Sequence, residues 1–225
     1  VYYKLDETSG TTATNYGTLA SADGTYSGAT LAQVAAPGGG SAPLFDGAND
    51  YVNIYSAALA TAFSGTLGTW LIWWKIYDAA EWDSATKRTG LVILADGGNY
   101  TAFDKSAANE IKANYVAGSE TDNNTTAITS TAWNMSTLTW SNTADEARWY
   151  LNAGLDATMT PIGTWSGAPI STRTAIGVTN TSPVQQPWYG YISHVAIFDK
   201  VLTVDEIEDI YNAGLTTSSP SSSPS

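Results

Sequence analysis

Apolar and polar residues alternate along much of this chain, the two-residue period of a strand whose side chains point to opposite faces of a sheet. The run Trp70-Leu71-Ile72-Trp73-Trp74-Lys75-Ile76-Tyr77 divides into Trp70, Ile72, Trp74 and Ile76 on one face and Leu71, Trp73, Lys75 and Tyr77 on the other. The first set is a core stripe; the second is amphipathic and suits a partly solvated sheet face. The same reading predicts strands over 51–54, 90–94, 110–116, 133–140, 148–152, 174–178 and 189–198, parted by Asp-Gly, Gly-Gly and Asn-Ala-Gly turns. Asp96-Gly97-Gly98-Asn99 is one such turn and lacks the Lys-Ser/Thr continuation of a phosphate loop. Many short strands in regular alternation predict an all-β fold, a sandwich of two antiparallel sheets.

Helical spacing enters convincingly once. In Leu202-Thr203-Val204-Asp205-Glu206-Ile207, Thr203 is placed as N-cap and Glu206 as its capping-box partner, with Leu202 and Ile207 forming the hydrophobic staple. Ile207, Ile210 and Tyr211 share one face of a short C-terminal helix, and Gly214 is expected to stop it. Beyond it, Ser218-Ser219-Pro220-Ser221-Ser222-Ser223-Pro224-Ser225 cannot pack a core. The expected organisation is one domain over 1–214 and a Ser/Pro-rich linker or tail over 215–225, either extended and O-glycosylated or docked on a neighbouring molecule.

Composition narrows the chemistry more than the fold. With 43% hydrophobic and 13% charged residues the chain buries a full core, and 225 residues is ordinary for one β-sandwich domain. The absence of cysteine removes disulfides, thiolate metal sites and cysteine nucleophiles, and a single histidine removes His-cluster metal sites. Nine Lys+Arg against 21 Asp+Glu leave a net charge of −12, which disfavours nucleic acid and anionic membrane surfaces as partners. The longest strongly apolar stretch, around Trp70 to Trp74, is far short of a bilayer span, so no membrane insertion is expected. Strand-like alternation already at Val1-Tyr2-Tyr3-Lys4-Leu5 leads to the expectation that a signal peptide or an upstream domain has been removed.

Five blocks, in order, carry a family resemblance. They are Leu5-Asp6-Glu7-Thr8-Ser9-Gly10 with Asn15-Tyr16-Gly17; Leu44-Phe45-Asp46-Gly47-Ala48-Asn49-Asp50-Tyr51-Val52; and the strand from Thr66 to Trp70. Then come Trp133 to Trp140 with Tyr150-Leu151-Asn152-Ala153-Gly154, and Tyr189-Gly190-Tyr191-Ile192 through Phe198 with Leu202, Glu206-Ile207 and Tyr211. Together they resemble the laminin-G-like branch of the concanavalin A-like lectin/glucanase superfamily. The resemblance implies a jelly roll whose first and last strands are adjacent. It also implies a structural calcium site on the closing strand, where the family's Gly-x-Ile-Asp-Glu-Val reads Gly190-Tyr191-Ile192-Ser193-His194-Val195. Ser193 offers a neutral oxygen where a hard cation needs a carboxylate, which argues against Ca2+ at that place. Asp46, Asn49 and Asp50 remain as a candidate oxygen cluster for Ca2+, set against their commoner role in Asx turns.

Glycan hydrolysis, the activity of the glucanase branch, needs an acid and a base or nucleophile at a fixed separation. Asp205, Glu206, Glu208 and Asp209 are accounted for by capping and the dipole at a helix N-terminus, while Glu81-Trp82-Asp83 has the right residue types in what reads as a loop. Ser193 and His194, adjacent on a strand, point to opposite faces and form no nucleophile pair. Aromatic surface is the remaining clue, because sugars stack their C–H faces on Trp and Tyr while Asn, Asp and Gln read hydroxyls. The candidates are Trp73, Tyr77, Trp82, Tyr100, Trp165, Trp188 and Tyr191, with most of the nine Trp expected in the core. Asn123-Asn124-Thr125-Thr126, Asn134-Met135-Ser136 and Asn180-Thr181-Ser182 fit the N-glycosylation pattern. The sequence therefore reads as a non-catalytic binding and adhesion module, extracellular or on a cell or virion surface, for a glycan or a cell-surface protein. The alternatives are a structural subunit that self-associates into a filament or viral appendage through its tail, and a divergent glycoside hydrolase.

Overall fold

The alternating runs become strands in this computed structural model, which describes residues 1–95, 98–118 and 120–216. The Ser/Pro tail and the Asp96-Gly97 half of the turn lie outside the described residues. In chain order come β1 (Tyr2–Tyr3), β2 (Thr12–Ala13), β3 (Gly24–Ser27), β4 (Thr30–Ala35), β5 (Ser41–Asp46), β6 (Tyr51–Asn53), α1 (Ala57–Ala62) and β7 (Leu67–Ile76). They are followed by α2 (Ala79–Asp83), β8 (Arg88–Ala95), β9 (Tyr100–Ala107), β10 (Glu110–Ala117), β11 (Glu120–Ala127), β12 (Asn134–Ser141) and β13 (Glu146–Leu151). The chain closes with β14 (Gly154–Met159), β15 (Pro169–Ile176), β16 (Asn180–Thr181), β17 (Val184–Gln185), β18 (Tyr189–Phe198) and α3 (Val204–Leu215).

The first sheet has the order β14-β13-β12-β7-β18-β5-β4, with β1 also paired to β18; the second has the order β11-β10-β9-β8-β15-β6-β3-β2. Tyr2 lies opposite Ala196 and Tyr3 opposite Val195, so the first and last strands are adjacent, as a jelly roll requires. The expected antiparallel two-sheet sandwich with a C-terminal helix is the observed fold, joined by two one-turn helices that the sequence reading did not anticipate. Both are held by side-chain caps, Ser56 accepting from the Leu59 N–H and Asp78 from the Glu81 N–H.

Between the sheets, Trp70, Ile72, Trp74 and Ile76 are fully buried, as the alternation of β7 predicts. Two of the buried indoles find a partner: Trp70 Nε1 donates across the sandwich to Thr101 Oγ1 of β9 at 2.7 Å, and Trp74 Nε1 to Ser136 Oγ on the adjacent strand β12 at 3.0 Å. The opposite face of β7 is covered rather than solvated over half its length. Leu71 and Trp73 pack under α3, where Trp73 stacks on Tyr211 with centroids 5.5 Å apart and planes 4° from parallel. The predicted capping box forms, Thr203 Oγ1 accepting from the Glu206 N–H at 3.2 Å and Glu206 Oε2 from the Thr203 N–H at 2.9 Å. The helix runs through Gly214 to Leu215. Gly214 serves contact instead of termination, since a Cβ there would lie 2.4 Å from Trp73 Cζ2.

Candidate functional site

The aromatic residues nominated as sugar platforms divide sharply by position. Trp82 and Trp188 are inside the sandwich, Trp188 edge-on to Trp74 at 6.0 Å and Trp82 donating through Nε1 to the Ser130 carbonyl at 3.0 Å. Trp165 is packed against Phe63 and Tyr115 at 5.4 and 5.8 Å, and Trp73 is sealed by Tyr211. These four are corrected to structural roles, because a ring enclosed on both faces has none left for a pyranose. Tyr77 is exposed, but its ring is stacked on Tyr189 at 4.5 Å and 10° and lies 6.4 Å from Tyr191, so these rings turn their faces on one another. Tyr100 is half-buried and lines a pocket.

The candidate calcium ligands serve the turn between β5 and β6. Asp46 Oδ1 accepts from the Ala48 N–H and Asp50 Oδ2 from the Asp46 N–H, both at 2.8 Å, while Asn49 is exposed. Burial pushes the Asp50 carboxyl up, only partly offset by the hydrogen bond from the Asp46 N–H. Among the described residues no group of three or more His, Asp or Glu side chains lies together.

Glu81 lies on α2, not in a loop, and is buried in an ion pair with Arg88 Nε at 2.9 Å. Arg88 Nη1 also donates to the Gly47 and Pro187 carbonyls at 2.9 and 3.0 Å. This carboxylate ties the β5–β6 turn to the chain before β18 and is closed to substrate. His194 is a satisfied side chain. Its Nε2 is 2.7 Å from the Pro37 carbonyl, which can only accept, so Nε2 carries the proton and Nδ1 accepts from the Tyr2 hydroxyl at 2.6 Å. Burial lowers the His194 pKa, consistent with that neutral form. The sequon residues Asn134 and Asn180 are buried and have no room for a glycan.

Beside a small hollow of about 200 Å³ around the Arg148–Glu146 pair, two larger concavities remain among the described residues. The larger, about 750 Å³, lies between α3 and the first sheet, with Leu71, Trp73, Phe198 and Ile210 among its lining. Of its polar groups, His194 is spent on Tyr2 and Pro37 and the Lys4 ammonium lies 4.5 Å above the Tyr16 ring, while Asp6 and Tyr16 also line it. It offers mainly apolar surface, with fewer polar side chains than the second concavity.

The second concavity, about 300 Å³, opens on the outer face of the second sheet and is built from cross-strand rows. Thr89 of β8 lies opposite Asp104 of β9, which lies opposite Lys112 of β10; the next row is Val92, Ala102 and Asn114, and the next Leu94, Tyr100 and Val116. Arg173 from β15, Lys87, and Thr179 and Gln186 from the connections flanking the β16–β17 hairpin complete the wall. Asp104 is held from two sides, Oδ1 accepting from Thr89 Oγ1 at 2.7 Å and Oδ2 from Asn114 Nδ2 at 2.8 Å. Burial pushes its carboxyl up to about 6, against the opposing pull of Thr89, Lys112 and Asn114. A carboxylate has about four acceptor positions, so two stay free for hydroxyl donors, while Lys112, Arg173 and Lys87 donate. Of the nominated residues only Tyr100 reaches this pocket. Asp104, Lys112, Asn114 and Arg173 were missed, although the polar even-numbered positions of Glu110–Ala117 and Tyr100–Ala107 are the alternation signal that marks the first three as outward-facing.

The family model of the concanavalin A-like lectin/glucanases superfamily matches residues 46–208. No curated protein gives a significant match. Among solved structures, the binding domain of botulinum neurotoxin serotype D superposes with a TM-score of 0.64 at 12% identity, over 94% of this chain and 50% of that one. The CBM40 of the Ruminococcus gnavus IT-sialidase bound to α2,3 sialyllactose gives 0.53 at 13% identity, over 83% and 97%. Domain 4 of AbnA, a GH43 extracellular arabinanase from Geobacillus stearothermophilus, in complex with arabinotriose, gives 0.58 at 16% identity, over 84% and 87%. At these identities the likeness is one of fold.

Proposed function

This chain belongs to the concanavalin A-like lectin/glucanases superfamily, and from that membership and the geometry of its second sheet we propose that it is a non-catalytic glycan-binding module acting outside the cell. The observation that carries the reading is the meeting, in one pocket, of the Tyr100 ring and an apolar floor of Val92 and Ala102 with Asp104, Lys112, Asn114, Arg173 and Gln186. Sugars are amphipathic in the same way, with C–H faces flanked by hydroxyls that both donate and accept. Asp104 is the one carboxylate lining this pocket, whereas glycoside hydrolysis uses two flanking the scissile bond, which supports binding over catalysis. Two of the similar domains were solved with saccharides, sialyllactose and arabinotriose. Among the described residues no helix is long and apolar enough to cross a membrane.

Glycan-array screening of the 225-residue chain tests this. Binding to a defined subset of glycans is expected, with Tyr100→Ala weakening it about tenfold, the value of one aromatic contact, in protein that remains folded. Failure to bind any glycan, or binding indifferent to Tyr100→Ala, overturns the proposal.

A further inference from the structure

Among the described residues, six of the nine Lys and Arg have a partner within the chain, some of them at the surface. Arg88, Arg148 and Lys200 are paired with Glu81, Glu146 and Glu206. Lys105 is fully buried, its ammonium donating to the carbonyls of Ser84, Thr86 and Ala107. Lys4 and Lys75 lie 4.5 and 6.0 Å from the ring centres of Tyr16 and Tyr191. The other three, Lys87, Lys112 and Arg173, have no carboxylate within 4.0 Å among the described side chains, which exclude those of residues 119–123, and all three line the pocket of Tyr100.

That distribution is informative in a chain of net charge −12, where acidic partners for a surface cation are abundant. Three cations around one concavity repel one another, and Asp104 sets a single carboxylate against them. Arg173 adds a planar fork of donors suited to a two-oxygen anion, and two ammonium groups add point charges free to follow it. We infer that the pocket takes an acidic saccharide, whose carboxylate or sulfate sits among Lys87, Lys112 and Arg173 while its ring lies against Tyr100 and the Val92–Ala102 floor. The inference rests on the glycan-binding reading above and narrows it to a ligand class. A neutral saccharide would leave three cations facing the single carboxylate of Asp104, an excess of positive charge that an anionic group offsets.

The test is an array in which uronate-, sialate- and sulfate-bearing glycans stand beside their neutral counterparts, followed by calorimetry of the best acidic and neutral pair with the full chain. Acidic members are expected to bind at least tenfold more tightly than their counterparts, which members bind separating carboxylate from sulfate. The preference is expected to fall about tenfold in Lys112→Gln and in Arg173→Gln, the scale of one charge-assisted hydrogen bond. Lys75→Gln, which removes the same charge from the other sheet, is the control and is expected to leave it unchanged. Binding confined to neutral glycans overturns this inference and leaves the glycan reading standing. A preference that Lys75→Gln erodes as much as Lys112→Gln also overturns it. Binding to nothing on the array overturns both.

Discussion

At Gly190 the closing strand passes so near its neighbour that a Cβ would lie 2.2 Å from the Lys75 carbonyl oxygen, and φ is +146°. Only glycine satisfies both conditions, so Gly190→Ala is expected to cost about 3 kcal/mol or more, read as a lowered midpoint in urea unfolding. Glu81 makes a different point at the same scale. Its residue type suits catalysis, but its burial beside Arg88 makes it a fastening. Glu81→Gln leaves Arg88 without its counter-charge and is expected to destabilise by about 3 kcal/mol, seen as a drop in Tm with glycan binding retained by the folded fraction. Residue identity alone could not separate a solvated acid from a buried ion pair, because the partner is supplied by chain folded back on it.

Among the elements, α3 was legible in advance because a helix start is local: Thr203 and Glu206 cap within one turn, and Ile207, Ile210 and Tyr211 repeat at helical spacing. What the helix covers was not legible. It lies on the face of β7 that alternation alone marks as partly solvated, and so converts Trp73 from a sugar platform into an anchor. Trp73→Ala is expected to cost about 3 to 5 kcal/mol by emptying that contact while leaving glycan affinity at the other sheet unchanged. Denaturant unfolding paired with array binding checks both halves; a loss of binding in protein that remains folded would move the site to the first sheet.

For the whole molecule, Asp104 links the site to stability. Its carboxyl is raised from 3.8 to about 6, so the folded state holds the proton more tightly than the unfolded chain. The penalty for ionising it is absent at pH 3, grows through pH 4 to 6 and is complete above that, reaching about 3 kcal/mol at most. His194 acts in the opposite sense, its lowered pKa withdrawing stability as the pH falls below 6.5. Asp104→Asn separates the two: it is expected to stabilise the fold by about 1 to 3 kcal/mol at pH 7.5, with the gain shrinking toward zero by pH 4, measured by urea unfolding at each pH. An equal gain at both pH values would mean that the carboxyl is not perturbed. A residue that lowers stability at neutral pH while facing a pocket is the trade expected of a binding site. The sequence by itself determined the strand period, which residues share a face, the span Tyr189–Phe198 and the cap of α3, since each depends on neighbours a few residues apart. Only the tertiary structure decided which sheet face is roofed by a helix and which lies open. It alone brings Arg173, Thr179 and Gln186 beside Asp104, because β15 and the connections around the β16–β17 hairpin come from far along the chain to join the consecutive strands β8, β9 and β10, and no local pattern encodes that pairing.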